Sequence, residues 1–180
     1  MTKLLTFLKL DFIIVSMKEK GGPEMEICCF TGHREIPNDK IVALKIRLDE
    51  TIDSLLAEGV TTFRAGGALG FDTLAALTVL AKREKEPSIR LELCLPCKDQ
   101  TRGWDDRSVE IYNFILSRAD KVTFLHESYT KSCMLERNRF MVDGSDVCVA
   151  YCKNPDSPRG GTSYTVRYAK KVNVRVINLI

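Results

Sequence analysis

Apolar residues recur along this chain in two alternating rhythms. Short segments with continuous or every-other-residue apolar character fall at 26–31 (EICCFT), 61–65, 89–95 (IRLELCL, ending at Pro96), 121–125 (KVTFL), 147–151 (VCVAY) and 174–179. Segments of this length and period are expected to be strands. Between them the spacing changes to three and four. Residues 40–58 place Ile41, Leu44, Leu48, Ile52 and Leu55 on one helical face and close at Gly59. Helices are likewise expected over 71–85 (Leu74, Leu77, Leu80), 108–119 (Ile111, Phe114 and Ile115 on one face), 133–144 and 162–171.

Strand and helix in strict alternation imply a mostly parallel sheet with helices on both faces, the α/β doubly wound architecture. In such sheets ligands bind outside the carboxyl ends of the strands. Four loops are thereby singled out before any motif is considered: 32–39, 66–70, 126–132 and 152–161.

Composition narrows the class. The chain has 180 residues, 44% apolar and 28% charged, as expected of one ordinary globular domain large enough to hold a core without disulfides. The net charge of +3 is too mild to imply nucleic acid or a membrane surface by bulk electrostatics. Seven cysteines, an odd number with Cys28 and Cys29 adjacent, do not form a secreted disulfide framework and point to a reducing cytoplasm. Cys94-Leu95-Pro96-Cys97 lies in a strand-like run and is read as buried thiols, so no metal is expected. The first 25 residues read as an extension outside a single domain at 26–180; their apolar part is broken by Lys9 and Asp11 and is too short to span a bilayer.

The chemistry gathers in the selected loops. Gly66, Gly67 and Gly70 lie where a strand hands over to a helix, a place where bare backbone and unpaired helical N–H groups favour an anion. Asp72, in the first helical turn, can occupy that helix end itself, which leaves a simple tight turn as the competing reading. A second glycine junction, Arg159-Gly160-Gly161-Thr162, repeats the arrangement, with Arg159 as a counter-charge and Thr162 or Ser163 as a cap. Gly32, His33 and Arg34 follow the first strand, and His126 follows the fourth; both histidines therefore sit at strand ends. Trp104, beside Arg102 and Arg107, can stack on a ring or anchor its loop. The Glu136-Arg137-Asn138-Arg139 run reads as a solvated helix face, although Asn138 and Asp143 can point towards one region.

Taken in order, C-F-T-G-H-R, G-G-A-L-G-F-D-T-L-A, R-N-R-F-M-V-D-G-S-D and R-G-G-T-S-Y-T resemble the SLOG superfamily of Rossmann-like proteins, and within it the YpsA-like family. The resemblance runs from about residue 26 to the end. It implies a Rossmann-like fold and a site for a nucleotide or a derivative of the AMP, ADP-ribose or NAD kind. That site would use Gly66, Gly67, Gly70, Asp72, Gly160, Gly161 and Thr162, with His126, Tyr129, Asn138 and Trp104 matching further family positions. A homodimer is also compatible with it. The related phosphoribohydrolases carry a catalytic glutamate where this chain has Thr165, so the N-glycosidic hydrolase alternative must draw on Asp72 or His33. The related DprA proteins bind single-stranded DNA; one tryptophan and a mild charge argue against that here. The expected partner is a small phosphorylated ligand that is bound or sensed.

Overall fold

The alternation in the sequence becomes six strands and five helices. The computed structural model describes residues 27–180, so the N-terminal extension lies outside the described residues. In chain order these are β1 (Ile27–Gly32), α1 (Asn38–Ala57), β2 (Thr62–Ala65), α2 (Phe71–Arg83), β3 (Arg90–Cys97), α3 (Asp106–Leu116), β4 (Lys121–His126), α4 (Cys133–Asp143), β5 (Val147–Tyr151), α5 (Gly161–Lys171) and β6 (Arg175–Asn178). All pairings are parallel, in the order β4-β3-β2-β1-β5-β6. This is the Rossmann-like, doubly wound sheet that the pattern predicts.

Period-two geometry divides each strand between two helical layers. Cys28 and Phe30 of β1, Phe63 of β2, Leu91, Leu93 and Leu95 of β3, and Val147 and Val149 of β5 face the larger core. There they meet Leu44, Leu48, Ile52 and Leu55 of α1 and Ala75, Ala76 and Val79 of α2. The opposite face is built of smaller residues. Cys29, Cys94 and Cys148 lie beside Met141 and Val142 of α4 and Ala169 of α5. Burial raises the Cys94 thiol to about 11, so it packs as a neutral small apolar group. All seven cysteines are buried and free.

Three details depart from the sequence pattern. β3 continues through Pro96 to Cys97 rather than ending at Pro96. β2 stops at Ala65, level with Leu93, so the last residues of β3 pair only with β4 and the proline costs no bond on the other side. α3 begins two residues early, because the Asp105 carboxylate accepts hydrogen bonds from the Ser108 N–H at 3.0 Å and the Ser108 hydroxyl at 2.7 Å. Phe114 does not share a buried face with Ile115. It is 44% exposed, with the Arg118 guanidinium 3.8 Å above its ring. Among the described residues, no helix is long and apolar enough to cross a membrane.

Candidate functional site

β1 is the switch strand, with β2 on one side and β5 on the other. The chain leaves β1 for α1 on one face of the sheet and leaves β5 for α5 on the opposite face. The two exits diverge and open a crevice at the carboxyl ends. It is a cleft of about 360 Å³. One wall is Thr31 to Arg34 at the end of β1, the floor is Ala68 and Asp72, and α4 contributes Met134, Arg137 and Asn138; Gly161 and Thr162 of α5 close it.

The floor is a buried ionic lock. The Asp72 carboxylate accepts the N–H groups of Gly66 at 3.2 Å and Ala68 at 3.4 Å, and lies 3.6 Å from Nη1 of Arg137. Arg137 also donates to the Gly66 carbonyl. Both residues are 5% exposed. Burial pushes the Asp72 carboxyl up, while Arg137 and the two amides pull it back down; the guanidinium stays charged. Nε of Arg137 is buried and has no hydrogen-bond partner among the described residues.

The first glycine loop is folded around this lock. A Cβ on Gly66 would overlap the Arg137 guanidinium, and one on Gly70 would overlap the backbone carbonyls of His33 and Arg34. Gly70 adopts φ 76°, and the next residue, Phe71, donates its N–H to the His33 carbonyl at 3.1 Å. The loop is thus stitched to the β1 exit. Ala68 and Asp72 reach the cleft lining, whereas Gly66, Gly67 and Gly70 lie outside it.

At the opposite wall, no side chain caps the N-terminus of α5. Its first-turn N–H groups have no intrahelical partners and carry the positive end of the helix dipole. Thr162 does not cap the helix; its hydroxyl donates to the Gly32 carbonyl at 2.9 Å and ties α5 to β1. Asn138 of α4 donates to the Thr165 hydroxyl at 2.8 Å, and Thr165 donates to the Gly161 carbonyl at 2.8 Å. Thr165, which the resemblance aligns with a catalytic glutamate, is 1% exposed. At the rim, His33 accepts the Lys153 N–H on Nε2 at 3.0 Å, which assigns its proton to Nδ1. Burial and the Lys153 charge lower its pKa, so the ring is neutral near pH 7.

A second compartment of about 360 Å³ adjoins the first, and Arg34 and Met134 line both. Trp104 stands in it, edge-to-face with Tyr112 at 5.7 Å between ring centroids, together with Asp99, Gln100, Arg102 and Tyr129.

The structure therefore brings together Gly32, His33, Arg34, Asp72, Asn138, Gly161 and Thr162 in one cleft and places Trp104 next door. It places His126 elsewhere: its Nε2 is 2.6 Å from the Glu136 carboxylate, which is held below the usual range first by Ser132 and then by His126. Arg159 and Gly160 are exposed and fall outside the cleft lining. Asp143 accepts from the Tyr168 hydroxyl at 2.7 Å, away from that lining.

The reading of Arg137 as part of a solvated face is corrected by its burial. The signal was present in the sequence: Met134, Arg137 and Met141 are spaced by three and four, one stripe of α4 facing the sheet. Nothing in the local pattern marked Asp99 or Gln100.

The family described as the YspA SLOG family matches residues 22–179. YoqJ, an uncharacterized SPbeta prophage-derived protein of Bacillus subtilis strain 168, is 29% identical over 147 residues, covering 74% of this chain and 84% of that protein. A UPF0398 protein of Halalkalibacterium halodurans is 32% identical over 134 residues, 73% of this chain and 69% of its own length. Among solved structures, DNA processing protein A from Helicobacter pylori, described for its single-stranded DNA binding mode, is similar with a TM-score of 0.60 at 18% identity. That similarity covers 86% of this chain but 65% of the other protein, and it is a likeness of fold.

Proposed function

We propose that this chain, which belongs to the YspA SLOG family, binds a small phosphorylated nucleotide derivative in the cleft between the β1 and β5 exits. One observation carries the reading. The uncapped N-terminus of α5 and the buried Arg137, whose Nε lacks a partner, line the same cleft. A helix N-terminus alone favours an anion weakly. A desolvated guanidinium on the opposite wall adds a charge-assisted donor in a low-dielectric site.

The roles follow from placement. The phosphate sits at Gly161 and Thr162, facing Arg137 and Asn138. Arg34, exposed at the rim, adds positive charge where a sugar-phosphate enters. His33, neutral with its proton on Nδ1, offers a hydrogen bond without a charge. The first glycine loop acts indirectly: Gly66 and Gly70 allow Arg137 and the β1 exit to approach closely, while the Asp72 carboxylate occupies the amides of that loop.

A thermal-shift panel of AMP, ADP-ribose, NAD and cyclic nucleotides tests the proposal. A ligand present at 100 times its dissociation constant stabilises by about 2.7 kcal/mol. The expected result is a saturable rise in Tm with at least one of them, reduced in Gly161→Asp; the absence of a shift with every compound would falsify the reading.

A second reading, N-glycosidic hydrolysis, draws on Asp72, a carboxyl with a raised pKa in the same cleft. Its engagement by two amides and Arg137 favours a structural task, and Thr165 offers no carboxylate. Release of free base and ribose 5-phosphate from a nucleoside monophosphate, abolished in Asp72→Asn, would establish hydrolysis. The fold likeness to DNA processing protein A suggests single-stranded nucleic acid as a different occupant. Affinity for an oligonucleotide that collapses steeply with salt would favour it over a mononucleotide.

A further inference from the structure

We propose that the compartment beside the cleft is a ring subsite that selects a nucleobase bearing an exocyclic amino group; this rests on the reading of the main cleft as a phosphate site. Arg34 and Met134 line both spaces, so the two lie side by side, and one ligand that reaches past these side chains can place its phosphate in the first and its base in the second. The second compartment supplies aromatic surface. Trp104 is oriented by its edge-to-face contact with Tyr112, and Tyr129, 60% exposed, stands free to close against an incoming ring.

The selectivity comes from Gln100. The residue is 7% exposed, and Nε2 donates to the carbonyls of Gly66 at 3.3 Å and Gly67 at 2.9 Å. Two carbonyl partners settle the amide orientation, because a flipped amide would set oxygen against oxygen. Oε1 is thereby left as an acceptor, buried and with no hydrogen-bond partner among the described residues. Oδ1 of Asp99, in the same lining, is also buried and unpartnered. Both atoms are covered in the unliganded protein, so bulk solvent does not satisfy them, and a ring reaches them only by shifting the side chains that cover them. A ring that brings an amino donor removes that deficit; one that brings a carbonyl at the same edge adds repulsion. Adenine and hypoxanthine differ in this way at C6, where one carries an amino group and the other a carbonyl.

Trp104 is the only tryptophan in the chain, so its emission reports on this compartment alone. Ribose 5-phosphate, AMP and IMP are titrated into the full chain, following Tm and Trp104 fluorescence together. The expected result is that ribose 5-phosphate raises Tm with unchanged emission, AMP raises Tm and quenches emission, and IMP binds at least about tenfold more weakly than AMP. Tyr129→Ala, a change at an exposed position, weakens AMP but not ribose 5-phosphate, and Gln100→Met narrows the AMP-to-IMP ratio. If ribose 5-phosphate and AMP bind alike with unchanged emission, or if IMP equals AMP, the subsite falls and the phosphate site stands. If none of the three stabilises the protein, the subsite falls; the phosphate site falls with it only where ADP-ribose, NAD and the cyclic nucleotides fail as well.

Discussion

Gly66 and Arg137, 71 positions apart, occupy adjoining space so closely that any side chain on the glycine would take the place of the guanidinium. The consequence is that Gly66→Ala must expel Arg137 from its contact with Asp72. The expected loss is about 3 kcal/mol, the scale of overpacking combined with a broken buried ion pair. At Gly161 a Cβ would meet nothing nearer than Nδ2 of Asn138 at 3.9 Å, so Gly161→Ala changes stability by less than about 0.5 kcal/mol. Urea denaturation of the two variants distinguishes a packing glycine from an open one.

Removing the cation alone strands a buried carboxylate. Arg137→Met is expected to cost about 3–5 kcal/mol at neutral pH, and adding Asp72→Asn should restore about 2 kcal/mol of it, because the asparagine carbonyl still accepts from Gly66 and Ala68. The pH dependence has a definite sign. Without Arg137, burial raises the folded-state pKa of Asp72 further. Stability conferred by a raised carboxyl pKa is present below its unfolded value and lost as pH rises through the folded value. The deficit of Arg137→Met should therefore shrink as pH falls towards 4; a deficit independent of pH would show that Asp72 does not titrate in this range.

His33 titrates in the opposite sense. Its folded pKa is lowered by burial first and by Lys153 second, so the unfolded chain binds its proton at a higher pH than the folded one does. The associated stability is present above the ordinary value near 6.5 and is lost as pH falls from there through the folded pKa. Protonation also removes the acceptor for the Lys153 N–H. His33→Gln should show a shallower fall in Tm between pH 7 and 5 than the parent chain, measured at constant ionic strength.

Thr165 joins α4 to the start of α5 through a hydroxyl that accepts from Asn138 and donates to the Gly161 carbonyl. Thr165→Val keeps the volume and deletes both bonds, with an expected cost of about 1–2 kcal/mol and a smaller thermal shift with any phosphate-bearing ligand. Thr165→Glu introduces a charge at a site that is 1% exposed. It should destabilise by about 3 kcal/mol or more and confer no hydrolase activity, read by chemical denaturation and by assay for released base.

Much of the architecture was legible because it depends on local periodicity. Leu44, Leu48, Ile52 and Leu55 lie on the buried face of α1, as their spacing required, and the rhythm of apolar segments foretold each of the six parallel strands. Ile41, at the exposed end of the same stripe, is 37% exposed, since the helix begins beyond the core's edge. Pro96 misled because strand pairing on one side ends at Ala65, a relation between two segments that neither one encodes alone. The strand-end rule singled out the rim of the sheet where the cleft lies, and the motif order led to the family.

What the sequence by itself determined, then, is the succession of elements, the parallel sheet and the end of it where the cleft opens. Each follows from spacing along a few residues, which neighbours on the chain enforce. What the tertiary structure decided is which of the polar groups at that end share a space. Arg137 is buried because β2, α2 and α4 meet there; His126 turns to Glu136 instead of the cleft; and Gln100 keeps a buried acceptor unpartnered among the described residues because the glycine carbonyls take its amide. Burial and pairing are properties of segments far apart in the chain brought into contact, and no pattern within one segment carries them.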